Sequence, residues 1–126
     1  MLSISQFAKQ VALSPDTLRY YEKLGLLQPQ RNAQHQRQYS QQDQDWLAFI
    51  QRLKQIGMSM HDIQTYAQLR AQGDRTITAR MALLQAQSQQ LLAKRIELDQ
   101  QLAFLNQKMA FYQDQLATLA SIDPQR

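Results

Sequence analysis

Eight side chains between Thr17 and Tyr39 are of the kinds that bind a polyanion: Thr17, Arg19, Tyr20, Tyr21, Lys23, Arg31, Arg37 and Tyr39. Arginine offers a planar fork of N–H donors that matches phosphate oxygens, lysine a point charge, and threonine and tyrosine a hydroxyl. This is the chemistry of recognition, not of bond making. Nowhere does the chain set a nucleophile beside a base, cluster metal ligands or form a Gly-rich phosphate loop, so no enzymatic activity and no cofactor is expected. His35 and His61 are the only histidines, and each reads as a surface group, so no metal site is expected.

The elements that must position these groups are short helices. Ser14 can cap a helix whose first turn accepts Pro15, because the missing N–H there would be unpaired anyway. Leu18, Tyr21 and Leu24 recur at helical spacing, Thr17, Arg19, Tyr20 and Lys23 fall on the other sides, and Gly25 ends the helix. Upstream, Ile4, Phe7, Ala8 and Val11 form the apolar stripe of another helix starting near Ser3 or Ser5. Only Ala12 and Leu13 separate it from the Ser14 cap. The pattern predicts a helix-turn-helix with a recognition helix, and a helical hairpin with a solvated basic face would satisfy the same residues.

Residues 28–39 carry no apolar run and end at a second cap, Ser40 with Asp43 three residues on. They read as an exposed loop or a small β-wing. In a wing, Arg31 and Arg37 can lie along a phosphate backbone, with Tyr39 as a hydroxyl donor or an anchor for the wing's base. The alternative is a solvated polar loop.

The string Thr17-Leu-Arg-Tyr-Tyr-Glu22, then Gly25-Leu-Leu27, Pro29, Arg31, Arg37, Tyr39, Leu47, Phe49-Ile50, Leu53, Ile56-Gly57 and Ser59 resembles the DNA-binding domain of the MerR family of bacterial transcription regulators. The resemblance runs from about Ile4 to about Ile63, half the chain. It implies a winged helix-turn-helix in which the eight residues named above contact DNA. Two departures stand out. Ala12 occupies a turn that is usually glycine, and His35-Gln36-Arg37 replaces the usual Gly-Tyr-Arg of the wing.

Composition agrees. With 126 residues, 44% of them hydrophobic, the chain can build one modest domain and an appendage. Residues 1–72 hold eight Lys/Arg against five Asp/Glu, and residues 73–126 six against five, so most of the net +4 lies in the first part. That bias suits a nucleic-acid partner. The absence of cysteine removes disulfides, thiolate metal ligands and thiol switches. No apolar run is long enough to span a membrane and no signal peptide is evident, so the expected location is the cytoplasm.

A third helix is predicted from about Ser40 to Ile56 and a fourth from a Ser59 cap to about Ala71. From Thr76 to Ala120 there is neither glycine nor proline. As one helix this stretch would extend about 65 to 70 Å, at a rise of about 1.5 Å per residue. Alternating steps of four and three trace a seam along it: Ile77, Met81, Leu84, Ser88, Leu91, Arg95, Leu98, Leu102, Leu105, Met109, Tyr112, Leu116 and Leu119, all apolar except Ser88 and Arg95. So sustained a repeat predicts a coiled coil between two chains, the alternative being a helical hairpin within one. The family resemblance implies antiparallel pairing, with Arg95 and Leu98 near the middle and Glu97 and Asp99 as the nearest carboxylates for Arg95.

The reading is therefore an all-α chain with a small β-wing. A winged helix-turn-helix DNA-binding domain at 1–72 precedes a long dimerisation helix, an antiparallel coiled coil, and a short tail at 73–126. The expected function is a homodimeric regulator binding a palindromic site in double-stranded promoter DNA. From the family, it would distort the spacer DNA so that RNA polymerase can read both promoter elements. Alternatives are a same-fold repressor or architectural protein, or a coiled-coil protein-protein adaptor. An unidentified small-molecule effector would fit a cleft of Trp46, Phe49, Ile50, Tyr66 and Leu69 with Phe104 and Phe111, residues that can equally be plain core. The cysteines through which metal-responsive members bind metal are absent.

Overall fold

The computed structural model describes residues 1–122; the short tail expected after the long helix lies outside the described residues. Helix α1 (Ile4–Val11) starts at Ser3, whose Oγ accepts from the Gln6 N–H while Gln6 Oε1 accepts from the Ser3 N–H. This reciprocal box satisfies two backbone donors that the helix start leaves open. Helix α2 (Pro15–Lys23) is capped by Ser14 Oγ, which accepts from the Thr17 N–H at 3.1 Å. Gly25 follows it with φ +81°, and a Cβ there would meet nothing within 4 Å, so backbone conformation and not space calls for glycine.

Strands β1 (Gln30–Arg31) and β2 (Arg37–Gln38) pair antiparallel, with Gln30 opposite Gln38 and Arg31 opposite Arg37. The turn between them is tied by the Asn32 side chain, whose Oδ1 accepts from the N–H groups of Gln34 and Gln36. Leu2 bridges to Tyr39 through two 2.8 Å backbone bonds, which adds the amino terminus to the wing's base. The wing reading thus holds against the solvated-loop alternative.

Helix α3 (Gln41–Gln55) begins at a Ser40–Asp43 capping box, and helix α4 (Met60–Ala71) at Ser59. A 3-10 turn at Asp74–Thr76 leads into helix α5 (Ile77–Ile122), which is unbroken over 46 residues. The intramolecular hairpin is therefore absent. The core gathers Phe7, Leu18, Leu26, Leu27, Tyr39, Leu47, Ile50 and Ile63, all fully buried, so helices α1 to α4 and the segments that join them build it.

The compact unit holding this core runs Met1–Gln87, beyond the boundary expected at residue 72, and α5 enters a second unit at Ser88. Within the first unit, Leu83 packs against the core and the buried Gln87 side chain donates from Nε2 to the Ile56 carbonyl at 2.9 Å. The Thr76 hydroxyl lies 2.6 Å from the Leu69 carbonyl and 2.8 Å from that of Gly73, and accepts from Arg80 Nε. Among the described residues no helix is long and apolar enough to cross a membrane.

Both departures from the family pattern sit on left-handed backbone. Ala12 has φ 58° as the cap that ends α1, and His35 has φ 62° in the wing turn. A side chain with a Cβ costs about 1 to 2 kcal/mol in this region relative to right-handed backbone. Ala12→Gly and His35→Gly should each therefore stabilise the fold by up to about 1 kcal/mol, after the unfolded glycine's extra entropy is allowed for. Urea unfolding checks this: a higher midpoint with an unchanged slope is expected for each variant.

Candidate nucleic-acid interface

Helix α2 presents Arg19, Tyr20 and Lys23 to solvent, with Tyr20 55% exposed. Arg19 Nη1 lies 2.9 Å from Asp16 Oδ1, one turn earlier. The contact is solvent-exposed and worth little, so it leaves the guanidinium available to an incoming phosphate or base. Thr17 is half-buried, and its hydroxyl is 2.9 Å from that of Ser14 at the cap.

The other face of α2 is locked into the domain. Leu18 and Tyr21 are buried, and the Tyr21 hydroxyl accepts from Lys54 Nζ at 2.7 Å. Just beyond the helix, Trp46 Nε1 of α3 donates to the Leu26 carbonyl at 2.6 Å and Gln64 Nε2 of α4 to that of Leu24 at 3.1 Å. Two helices thus satisfy the carbonyls that follow α2 and fix how its outer face is aimed.

The wing is fastened to α2 through one carboxylate. Glu22 Oε1 lies 2.7 Å from Arg31 Nη2 and Glu22 Oε2 2.6 Å from Arg37 Nε. Arg31 Nη1 also donates to the His35 carbonyl across the wing turn. Because Arg31 and Arg37 face each other in the strand register, their like charges would push the strands apart without a carboxylate between them. Both arginines remain partly exposed, at 41% and 26% of their side chains.

Two of the eight expected DNA-contacting residues are buried in the core. Tyr39 is 1% exposed and stacks on Phe7, with ring centroids 4.4 Å apart and planes 6° from parallel. Its hydroxyl is buried without a hydrogen-bond partner among the described residues. It has no surface to offer a phosphate, so the anchoring role is the one its position supports. Tyr21 is buried likewise, its hydroxyl taken by Lys54. Both are aromatic, and the gain from burying a large ring next to the chain's apolar stripe outweighs exposing it for one hydroxyl contact.

The cleft residues divide in the same way. Trp46, Phe49 and Tyr66 form an aromatic cluster with centroids 5.4 to 6.0 Å apart, and Arg70 Cζ lies 4.2 Å from the Trp46 ring centroid. They border an open concavity of about 490 Å³ that Gln42, Asp45 and Arg80 also line. Ile50 does not line it, being fully buried on the core side of α3, and half-buried Leu69 is not among its walls. Phe104 and Phe111 lie in the second unit, both exposed. Gln42, Asp45 and Arg70 follow helical spacing from the aromatic residues, so the periodicity that placed Trp46 and Tyr66 could have found them. His35 and His61 are exposed, and no cluster of metal-binding side chains occurs among the described residues.

A short helix-turn-helix, a two-stranded wing tied to its second helix and a long following helix define a winged helix-turn-helix regulator. Comparison with known proteins agrees. Residues 2–69 match the model for the MerR HTH family regulatory protein, and residues 44–108 match the MerR DNA-binding model. A helix-turn-helix transcriptional regulator of Haemophilus influenzae is 37% identical over 107 residues, 84% of this chain and 79% of that one. The regulator AdhR of Bacillus subtilis is 38% identical over 92 residues, 72% of this chain and 66% of that one. Further relatives are matched over about half their own length.

Among solved structures, HiNmlR, a MerR family regulator lacking the sensor domain and bound to promoter DNA, superposes with a TM-score of 0.71 at 34% identity, covering 91% of this chain and 92% of that one. A MerR family regulator from Listeria monocytogenes gives a TM-score of 0.77 at 28% identity, covering 96% and 92%. This chain belongs to the MerR family of helix-turn-helix transcription regulators.

The placement of Tyr39 makes a prediction. Tyr39→Phe removes an unpaired buried hydroxyl while keeping the ring, so it should leave DNA affinity unchanged and raise stability by about 1 kcal/mol. Burial also pushes the Tyr39 phenol above its ordinary value of 10.0, with the nearby Arg37 charge opposing. The neutral phenol is thus favoured by folding. Its contribution is intact below about pH 10 and is lost as pH rises through the higher folded value, because the unfolded chain ionises first. Urea melts of both proteins from pH 8 to 11 should show the wild type losing more stability at the alkaline end; parallel curves would contradict this.

Proposed function

We propose that the chain acts as a homodimer in the cytoplasm, placing two α2 helices in successive major grooves of a palindromic promoter site with each wing on the flanking backbone. The observation that carries the dimer is the α5 seam. Its eleven apolar positions, from Ile77 to Leu119, are all exposed in the single chain. An apolar stripe of this length, interrupted only at Ser88 and Arg95, calls for a partner, and its spacing of four and three is that of a coiled coil. A second copy running antiparallel completes it and relates the two recognition helices by a two-fold axis, as a palindrome requires. HiNmlR was solved on promoter DNA, which supports the same class of target here.

On the DNA, Arg19, Tyr20 and Lys23 of α2, with the half-buried Thr17, face the groove, and Arg31 and Arg37 bind backbone phosphates. Arginine and tyrosine hydroxyl contacts of this kind mainly set register, and base-edge contacts from α2 then select sequence. A duplex whose half-sites do not match the dimer must deform, at a cost on the order of 1 to 6 kcal/mol that the wing contacts offset. Distortion of the spacer between promoter elements is the route by which such binding would govern RNA polymerase.

Two measurements test this. Leu102→Asp would bury an unpaired charge in the seam, a cost on the order of several kcal/mol, and should convert the dimer to monomer in light scattering. A monomeric wild type at micromolar concentration would overturn the dimer. Arg37→Ala should weaken binding to all duplexes and flatten the dependence of log K on log salt by about 0.9 per subunit, as for one lost phosphate contact. An unchanged slope would take Arg37 out of the interface.

A further inference from the structure

Glu22 stands where a DNA-binding surface would be expected to avoid negative charge. It lies in the recognition helix, yet its carboxylate faces the two cations of the wing at 2.6 and 2.7 Å. The side chain is only 22% exposed, so this is a held position and not a passing surface contact. The carboxylate occupies one edge of each guanidinium and leaves others open. Arg37 gives only Nε to Glu22, and its two Nη groups have no protein partner among the described residues. Arg31 uses Nη2 for Glu22 and Nη1 for the His35 carbonyl.

Two consequences follow from one charge. First, Glu22 sets the distance between α2 and both wing strands, because a single two-oxygen group spans Arg31 on β1 and Arg37 on β2. The two guanidinium groups are therefore held at fixed positions relative to α2. Second, it cancels one of the two wing charges, which lowers the attraction of the wing for any phosphate backbone irrespective of sequence. Sequence-independent binding is almost wholly electrostatic, whereas bound register depends on where the cations are held.

We propose that Glu22 is a specificity-determining residue: its bridge to Arg31 and Arg37 holds the wing in the register of the correct site and suppresses binding of the wing to other DNA. The proposal rests on the reading that the wing contacts the backbone, and the test separates the two.

The test uses a duplex selected from a random pool by the full-length wild type and a scrambled duplex of equal length, with affinities measured across salt concentrations. Glu22→Gln should lose roughly tenfold in affinity for the selected duplex, the scale of a displaced charged hydrogen bond. It should hold or gain affinity for the scrambled one, with a salt slope steeper by up to about one per subunit. A role in folding alone would lower both affinities together. Glu22→Asp keeps the charge but loses one methylene of reach, so it should leave scrambled binding at the wild-type level while selected binding falls. If the Gln variant does not give a cooperative thermal melt, the Asp variant decides. A ratio of selected to scrambled affinity that stays at the wild-type value in the folded variants overturns the proposal. Should Arg31→Ala with Arg37→Ala bind both duplexes as the wild type does, the wing reading fails and takes the proposal with it. Weakened binding there, with an unchanged ratio in the Glu22 variants, removes the proposal alone.

Discussion

Two arginines placed opposite each other on a two-residue ladder repel, and the whole surface proposed to face DNA depends on how that repulsion is resolved. Glu22 of the recognition helix lies between Arg31 and Arg37 and bonds both. A ladder so short has no independent stability, so the wing exists because other parts hold it. The Glu22 bridge holds its outer side. At its base, Tyr39 stacks on Phe7 and exchanges backbone bonds with Leu2. Each partly exposed ion pair alone would contribute little, but a shared carboxylate orders three side chains with one constraint.

The recognition helix is aimed by the same economy of contacts. Its inner face is closed by Leu18 and Tyr21, and the backbone beyond it is gripped by Trp46 and Gln64. Lys54 reaches Tyr21 from α3, so that helix touches α2 at its inner face and also beyond its end. With those groups satisfied inward, Arg19, Tyr20 and Lys23 are left on the outer side. The helix and the wing form one preordered surface, which in the proposed function reduces the ordering cost of binding DNA.

Local signals carried most of the fold. Ser3, Ser14, Ser40 and Ser59 each cap the helix expected of them, because capping depends on a residue and its neighbours three positions on. The long helix follows from the lack of any breaker. What stayed hidden depends on distant partners. Tyr20 and Tyr39 are the same residue type with opposite fates, and only the stacking partner Phe7, far away in sequence, decides that Tyr39 is core. Glu22 was legible as part of a family string, but its bonds to residues nine and fifteen positions on have no periodic signature. The first turns of α5 were hidden as a packing element for a similar reason, since polar Gln87 gives no sign in sequence that it is buried and bonded to Ile56. Left-handed backbone at Ala12 and His35 was signalled only by the glycine the family usually places there, as neither residue is itself glycine.

The central claim is that α2 and the wing engage one half-site together, as a single preassembled surface. The cysteine-free chain allows this to be measured directly, because one cysteine introduced at Tyr20 or at Gln34 can carry a DNA-cleaving iron chelate. On a duplex selected by the wild type, cuts from residue 20 should fall within each half-site. Cuts from residue 34, at the wing tip, should fall on the flanking backbone of the same half-site, with the whole pattern repeated by two-fold symmetry. Cleavage from residue 20 with none from residue 34 above that of free chelate would show that the wing does not lie on the DNA, and would contradict the account.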